Sequence, residues 1–250
     1  MRGPAPAAVI ERLRRAPGAI AAAARRRPQQ GERLTSYAAR DARGIPLDLR
    51  LGHLLDWRDG FFIEAGANDG LFQSNTALLE QAFGWSGILI EPAPTAYERC
   101  RANRRAAVHN CALVAFDFDQ ETVSGDFDGY PMGSVGGERL GRTNEYTVPA
   151  RTLQSIIDEY GVDHVDFLSL DAEGYELQIL RGCDFTRVEF SYMLIELYPT
   201  NHEPTTSYLD GVGYELLANY SNYNHADNPE WDGTHNDYLF RRRGLAAGER

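Results

Sequence analysis

A carboxylate and two glycines follow the first strongly apolar run of the sequence. Glu64, Gly66 and Gly70 have the spacing acidic-x-Gly-x-x-x-Gly, directly after the run FFI. Glycines after a buried strand let the chain turn tightly, so that backbone N–H groups and the N-terminus of the next helix face a ligand. A dinucleotide-binding fingerprint needs a glycine where this chain has Asn68. The loop 64–70 therefore predicts a site for a cofactor other than NAD.

A second carboxylate, Glu91, ends the next apolar run, about 20 residues after the glycine loop. At such a position a carboxylate accepts hydrogen bonds from both hydroxyls of a cofactor ribose. Asn110 and Ala112, on the third predicted strand, would then lie beside the adenine. The combination of this carboxylate with the acidic-x-Gly-x-x-x-Gly loop predicts S-adenosylmethionine (SAM) as the cofactor. The alternative is that Glu91 is an exposed residue at a strand end.

Two more carboxylates, Asp171 and Glu173, follow the predicted strand 165–170. The carboxyl edge of a central strand is where open α/β sheets bind ligands, and an unpaired buried charge is costly. Three roles stay open for this pair: holding the methionine amine of the cofactor, binding a divalent cation, and accepting a proton from a substrate hydroxyl. The structural alternative is that they cap the following helix.

A hydroxyl acceptor requires a general base, because it is a poor nucleophile until its proton is accepted. Asp171 has the best expected position, but an unperturbed carboxylate is a weak base, so the base and metal-ligand hypotheses are kept together. The other candidates are Glu173, Glu196, His202, His225 and His235. His225 and His235 lie in the polar, aromatic loop 220–236, whose composition suits sugar binding or closure of the site. Simple solvation of that loop is the alternative.

Apolar runs of strand length alternate with helical patterns from Phe61 onward, which predicts a mostly parallel, doubly wound α/β sheet. The strands 214–219 and 237–241 are expected to form an antiparallel pair at the C-terminus. The other predicted strands are 61–65, 87–90, 107–114, 165–170 and 192–197, and the predicted helices are 74–83, 95–103, 152–160 and 175–181.

The periodic pattern breaks between residues 116 and 146, where Asp, Gly, Ser and Glu dominate. A segment of this length inside a compact domain is usually a functional lid or a mobile loop. The run GSVGG at 133–137 is interpreted as a lid over the cofactor with glycine hinges, and Ser134 as a cofactor contact.

Charge and cysteine content narrow the function classes. The formal net charge is -11, and residues 1–30 carry seven Arg and one acid, which leaves -17 on the remainder. Because nucleic-acid affinity comes largely from cations, this acidic body argues against a tight nucleic-acid partner.

The three cysteines are widely spaced without a C-x-x-C pair, which argues against a disulfide framework and indicates a reducing, cytoplasmic location.

The composition also predicts the domain organisation: an Arg/Ala/Pro-rich extension at 1–45, a catalytic domain at 46–243 and a tail at 244–250. The apolar stretch 16–24 is shorter than the roughly 20 residues that span a bilayer. The extension is expected to be mobile or partly helical. The alternative is that its basic segment 9–24 contacts an anionic membrane or a partner.

The chain resembles the FkbM family of SAM-dependent methyltransferases. The matching segments occur in the family's order: 62–70, 74–76, 79–80, 84–87, 90–92, 148–149, 152–153 and 166–176, the last with sequence DFLSLDAEGYE. The resemblance covers about residues 61–197 and becomes loose after Pro199, where acceptor recognition is expected. It implies a Rossmann-like class I methyltransferase fold, SAM as donor, and a hydroxyl acceptor on a sugar, glycolipid or polyketide-type metabolite.

The motifs and the resemblance together give two sets of predicted site residues. The predicted cofactor-binding residues are Glu64, Gly66, Ala67, Asn68, Gly70, Asn75, Glu91, Asn110, Ala112, Ser134 and Asp171. The predicted catalytic residues are Asp171, Glu173, His225 and His235.

Two other functions remain as alternatives. One is a non-catalytic SAM-binding or scaffold protein that docks through its basic N-terminus. The other is a nucleic-acid or protein methyltransferase, which is disfavoured because residues 170–173 are LDAE instead of the Asn/Asp-Pro-Pro-aromatic signature of amino-group methylation of nucleic acids.

Overall fold

The computed structural model describes residues 36–126, 145–229, 231 and 233–245. The helices of this part are α1 (Leu47–Leu54), α2 (Ala77–Phe83), α3 (Pro94–Asn103), α4 (Leu153–Tyr160), α5 (Glu176–Leu180) and α6 (Pro199–Gly211). The strands are β1 (Phe61–Ala65), β2 (Ser86–Ile90), β3 (Ala107–His109), β4 (Ala112–Val114), β5 (Thr122–Asp126), β6 (Glu145–Thr152), β7 (His164–Leu170), β8 (Glu189–Leu197), β9 (Tyr214–Asn219) and β10 (Asn236–Arg242).

Seven strands form the main sheet, in the order β3-β2-β1-β7-β8-β10-β9. The five neighbouring strands β3, β2, β1, β7 and β8 are parallel to one another. Strand β10 runs antiparallel to both β8 and β9. The predicted Rossmann-like, mostly parallel sheet with an antiparallel C-terminal strand is therefore confirmed. The strand order reverses direction between β1 and β7, which is the point where open α/β sheets form a ligand crevice at the carboxyl ends of their strands.

The central strands β1, β2, β7 and β8 are buried on both faces, which explains why they are mostly apolar along their length. Successive side chains of a strand point to opposite faces, so Phe62 and Ile63 belong to two different cores. The Ile63 core includes residues of α4, α5 and α6, whereas the Phe62 core includes residues of α1, α2 and α3. This packing fixes β1, β2 and β7 as a rigid support for the loops that follow them.

The predicted strand 107–114 is two strands instead of one. The Asn110 side-chain amide donates hydrogen bonds to the backbone carbonyls of Glu91 and Pro92, at 2.9 and 2.8 Å. Beyond this break the chain leaves the main sheet, and β4 joins a separate three-stranded sheet of order β4-β6-β5. The apolar run at 107–114 is continuous, so the change of partner sheet depends on contacts that periodicity does not contain.

The segment 116–146 contains β5 and the start of β6, which pair antiparallel, where the sequence predicts a lid or loop. The predicted hinge residues 133–137, with Ser134, lie outside the described residues. Helix α6 is a further addition that the sequence pattern did not predict. No helix in the described part of the chain is long and apolar enough to cross a membrane.

Part of the predicted extension packs on the catalytic body. Asp41 is buried and forms an ion pair with Arg50 at 3.0 Å, while the backbone N–H of Ala42 donates to the carbonyl of Ser221. Asp48, in α1, accepts a hydrogen bond from the Ser36 hydroxyl at 2.6 Å. Residues 36–45 thus contact the body, whereas residues 1–35 and the end of the tail lie outside the described residues.

Candidate functional site

A cavity of about 990 Å³, counted with its open mouth, lies at the carboxyl ends of β1, β2 and β7. The residue directly after each of these strands lines it: Gly66, Glu91 and Asp171. Eight predicted site residues line the cavity: Glu64, Gly66, Asn68, Asn75, Glu91, Ala112, Asp171 and Glu173. The structure therefore brings together motifs that are separated by more than a hundred positions in the sequence.

The glycine loop closes against the end of β7. Gly66 has φ +83°, and a Cβ atom at this position would lie 1.9 Å from the carbonyl oxygen of Asp171. The backbone N–H groups of Gly66 and Ala67 both donate to the carbonyl of Ile90, at 3.0 and 3.1 Å. Asn68 also has a left-handed backbone, φ +47°, which Asn tolerates better than most residues. The loop thus joins the ends of three strands and leaves a cradle that only glycine at position 66 permits.

Three predicted cofactor residues do not line the cavity. Ala67 is buried in the Phe62 core, and a Cβ atom on Gly70 would lie 2.7 Å from the Cγ atom of Arg104. Asn110 uses its amide to hold the end of β2, as described above. These three residues therefore support the loops that line the cavity without lining it themselves.

The Glu64 carboxylate is buried and densely partnered. It accepts hydrogen bonds from the hydroxyls of Ser74 (2.9 Å) and Thr76 (2.7 Å), and its Oε2 atom lies 3.4 Å from the guanidinium of Arg104. Arg104 is 1% exposed and also pairs with Glu80 at 3.0 Å. We call Glu64, Ser74, Thr76, Glu80 and Arg104 the Glu64 network. It fixes the loop 64–76, and Arg104 is a member that sequence reasoning missed.

Asn75 connects the Glu64 network to the cavity. Its backbone N–H donates to Glu64 at 2.8 Å, and its side-chain amide donates to the Ser169 hydroxyl at 3.1 Å. Its Oδ1 atom is buried and has no hydrogen-bond partner within the described residues. Because an unsatisfied buried acceptor is destabilising, this atom fits a ligand that brings a donor, such as the amine of SAM.

Glu91 is buried at the end of β2, and both of its carboxylate oxygens are held by the backbone. Oε2 accepts from the N–H of Asn68 at 2.7 Å, and Oε1 accepts from the N–H of Ala93 at 2.8 Å. Each oxygen keeps a second lone pair, so the carboxylate can also accept two ribose hydroxyls. Burial raises the pKa of Glu91 to about 7, although the two backbone hydrogen bonds oppose that shift.

Three carboxyl groups meet beside the cavity at the ends of β7 and β8. One oxygen from each of Asp171, Glu173 and Glu196 lies within 4.8 Å of the others, and we call these residues the acidic cluster. The Tyr198 hydroxyl donates to Glu173 at 2.6 Å, and His235 Nε2 lies 3.4 Å from Glu196 Oε1. Asp171 and Glu173 line the cavity itself, so the acidic cluster borders the space where a cofactor and an acceptor would meet.

The acidic cluster concentrates negative charge in a buried place. Burial raises the pKa of Asp171 well above its usual range, and the charges of Glu173, Glu176 and Asp237 raise it further. Burial and the charge of Asp171 also raise the pKa of Glu196. Among the ion pairs of the described residues, none joins an arginine to Asp171 or Glu196.

The candidate histidines lie in different surroundings. His235 touches the acidic cluster through Glu196, whereas His225 is exposed and packs against the Trp231 ring, with centroids 5.1 Å apart. His202 packs against Tyr238, with centroids 4.4 Å apart. Of the two histidines predicted to be catalytic, only His235 has a described contact with the acidic cluster.

Comparison with known proteins adds a family match over most of the site. Residues 64–216 match the family model described as "Methyltransferase FkbM domain". No curated protein sequence is significantly similar to the chain.

Three solved structures with a similar fold are distant in sequence. The 23S rRNA methyltransferase ErmE is 12% identical, with 79% of this chain and 67% of that chain covered and a TM-score of 0.44. The precorrin-6y C5,15-methyltransferase from Geobacter metallireducens GS-15 is 11% identical, with 82% and 94% covered and a TM-score of 0.42. The human methyltransferase 10 domain containing protein is 13% identical, with 79% and 82% covered and a TM-score of 0.45.

Proposed function

Because the chain belongs to the FkbM family of methyltransferases and uses SAM as donor, we propose that its acceptor is a hydroxyl group on a sugar, glycolipid or polyketide-type metabolite. The observation that carries this proposal is the acidic cluster, which borders the cavity through Asp171 and Glu173. A hydroxyl group must lose its proton when it is methylated, and carboxylates beside the cavity provide acceptors for that proton.

We assign the cofactor to the cavity by the chemistry of its lining. SAM supplies a methyl group on a sulfonium, which is transferred in one in-line displacement and needs no covalent enzyme intermediate. Glu91 has the free lone pairs to accept the ribose hydroxyls, and Asn75 has an unsatisfied acceptor for the amine. The buried residues Cys111, Ala112 and Leu113 provide an apolar wall for the adenine.

The main catalytic contribution of this chain is then positional. Holding two reactants aligned supplies roughly 7–11 kcal/mol of a barrier, and a placed general base adds about 10²–10⁴ in rate. The Tyr198 hydroxyl donates a hydrogen bond to Glu173, and His235 lies beside Glu196, so two carboxyl groups of the acidic cluster contact ring-bearing side chains. Asp171, which lines the cavity, is our candidate for the group that faces the acceptor hydroxyl.

The charge distribution favours a small or glycan acceptor over a nucleic acid. The chain carries a formal net charge of -11 at pH 7, Asp171 and Glu173 line the cavity, and the charges of Glu176 and Asp237 act on the acidic cluster. A phosphate backbone would be repelled there, since nucleic-acid affinity depends on replacing counterions with protein cations.

The test is methylation of a panel of acceptors by the full chain. Purified protein is incubated with SAM and with alcohols, sugars, glycolipids, amines and RNA, and S-adenosylhomocysteine and the methylated product are measured by mass spectrometry. We expect a methyl ether on an alcohol, and we expect its formation to fall in Asp171→Asn but not in the exposed control Glu203→Gln. Methylation of an amine or of RNA, with none of the alcohols, would overturn the proposal.

A further inference from the structure

Two oxygen atoms of the acidic cluster are buried without a hydrogen-bond donor. Asp171 Oδ1 and Glu196 Oε2 are inaccessible to solvent and have no partner within the described residues. Glu196 is 8% exposed, and its other oxygen lies near His235. A buried carboxylate oxygen without a donor destabilises the folded state, because it has lost its hydrogen bonds to water and no protein donor replaces them. These atoms therefore indicate a missing electropositive partner.

The separations within the acidic cluster suit a single metal ion. Oxygen ligands on opposite sides of Mg²⁺ are about 4.1 Å apart, and on opposite sides of Ca²⁺ about 4.6–5.2 Å apart, from the usual metal–oxygen distances. One oxygen from each of Asp171, Glu173 and Glu196 lies within 4.8 Å of the others. We propose that these three residues form a binding site for an oxygen-ligated divalent cation of the Mg²⁺, Mn²⁺ and Ca²⁺ class.

The surrounding charges support a cation. Glu176 and Asp237 add two further carboxyl groups near the acidic cluster, and within the described residues the ion pairs give Asp171 and Glu196 no arginine partner. His235 is the one basic side chain in an ion-pair contact with Glu196 in this part of the chain. A divalent cation would offset two of these negative charges at their centre. Oxygen ligands of this kind are those that hard divalent cations prefer.

The location of this site gives the cation a role in methyl transfer. Asp171 and Glu173 line the cavity, so a cation held by them would reach a hydroxyl group in the cavity and lower its pKa. That role rests on the proposed O-methyl transfer, whereas the binding of the cation does not. The two ideas can therefore be tested apart.

The experiment is a Mn²⁺ titration of the full chain after treatment with a chelator, without SAM or acceptor. Free Mn²⁺ is measured by electron paramagnetic resonance. We expect one saturable site per chain, from which Mg²⁺ or Ca²⁺ displaces Mn²⁺. Glu196→Gln and Asp171→Asn should each weaken Mn²⁺ binding at least about tenfold, because even residues that only support metal ligands change affinity by about 10–100-fold. Glu203→Gln, an exposed acid on α6, should bind Mn²⁺ as the wild type does.

A thermal unfolding measurement accompanies the titration. Saturating Mn²⁺ should raise the melting temperature of the wild type, since a ligand that binds only the folded state stabilises it. Absence of both saturable binding and stabilisation at millimolar Mn²⁺ would overturn the site. Equal binding in the wild type and in both variants would also overturn it. Saturable Mn²⁺ binding, combined with methylation of an amine or of RNA and of none of the alcohols, would keep the site and remove the proposed function.

Discussion

The Glu64 network and the acidic cluster are two groups of buried carboxylates at the same edge of one sheet, and they are compensated in opposite ways. Glu64 faces Arg104 and accepts hydrogen bonds from two hydroxyls and a backbone N–H. Asp171 and Glu196 keep buried oxygens without a donor within the described residues. A carboxylate whose partners all come from the protein holds the fold together, whereas one that lacks them is available to a ligand or a proton.

The cost of burial explains this difference. A buried ion pair survives when further hydrogen bonds satisfy it, as they do around Arg104, whose guanidinium also contacts Glu80, Gly70, Ser74 and Thr76. Uncompensated carboxyl groups are concentrated at functional sites, where a strongly perturbed pKa is part of the chemistry. Four predictions test the contrast.

The largest expected effect is on stability, from breaking the Glu64 network. Arg104→Met leaves Glu64 buried without a cation and leaves Glu80 with only the exposed Arg105, so we expect a loss of about 3–5 kcal/mol in the free energy of unfolding, measured by urea denaturation. Arg105→Met is the matched control, because Arg105 pairs with the same Glu80 but is 68% exposed. Its loss should stay below about 1 kcal/mol. Similar losses in the two variants would contradict a special role for Arg104.

Neutralising one carboxylate of the acidic cluster should lower turnover and leave stability nearly unchanged. Asp171→Asn removes the candidate proton acceptor and metal ligand, so we expect kcat to fall by about 10²–10⁴. The Kd for S-adenosylhomocysteine and the free energy of unfolding should change little, because an uncompensated charge is removed. Isothermal titration calorimetry and urea denaturation check these two quantities. A Kd that weakens in parallel with kcat would assign Asp171 to cofactor binding.

Glu91 is intermediate between the Glu64 network and the acidic cluster. Both of its oxygens have donors, and its pKa is nevertheless raised to about 7. Two ribose hydroxyls are better accepted by the ionised carboxylate. The affinity for S-adenosylhomocysteine should therefore rise as the pH increases through about 7, and fall by up to about tenfold per unit below it. Glu91→Gln should weaken binding and abolish this pH dependence.

The control for that titration is Glu98→Gln, an acid on α3 whose side chain is 67% exposed. It should keep both the affinity and the pH dependence of the wild type. A pH dependence that persists unchanged in Glu91→Gln would mean that another group titrates on cofactor binding.

The smallest expected effect is on the orientation of Glu173. Tyr198→Phe removes the hydroxyl that donates to this carboxylate at 2.6 Å, and one hydrogen bond contributes about 1 kcal/mol. We expect kcat/KM to fall about fivefold, with stability nearly unchanged. Tyr208→Phe, on the helix α6 that Tyr198 precedes, removes a hydroxyl that donates to the Leu180 carbonyl and should leave kcat/KM unchanged. A loss confined to stability would make Tyr198 a packing residue.

The central strands of the main sheet were predictable because they are buried on both faces and are therefore mostly apolar runs. The same logic located Gly66, Glu91 and Asp171, since each directly follows such a run and the carboxyl ends of parallel strands meet at one edge. Local patterning is sufficient for features of this kind, which depend on one strand and the turn after it.

Other features depend on contacts between distant segments. Helix α6 contains Pro204 and buries only Thr205 and Leu209, so its sequence has almost no helical periodicity. Arg104 is a cation at the end of a polar helix, and nothing near it in the sequence indicates burial. Glu196 was one of several candidate bases, and only the pairing of β8 with β7 brings it to Asp171.

The contact between Gly66 and the Asp171 carbonyl links the donor and acceptor halves of the site. A side chain at position 66 would push the two strand ends apart by more than about 1 Å, since its Cβ atom would lie 1.9 Å from that oxygen. The distance between cofactor loop and acidic cluster is thus a property of the backbone. We therefore propose that new acceptor specificities arise outside this contact, in the segment after Pro199, while the backbone geometry between the two strand ends stays the same.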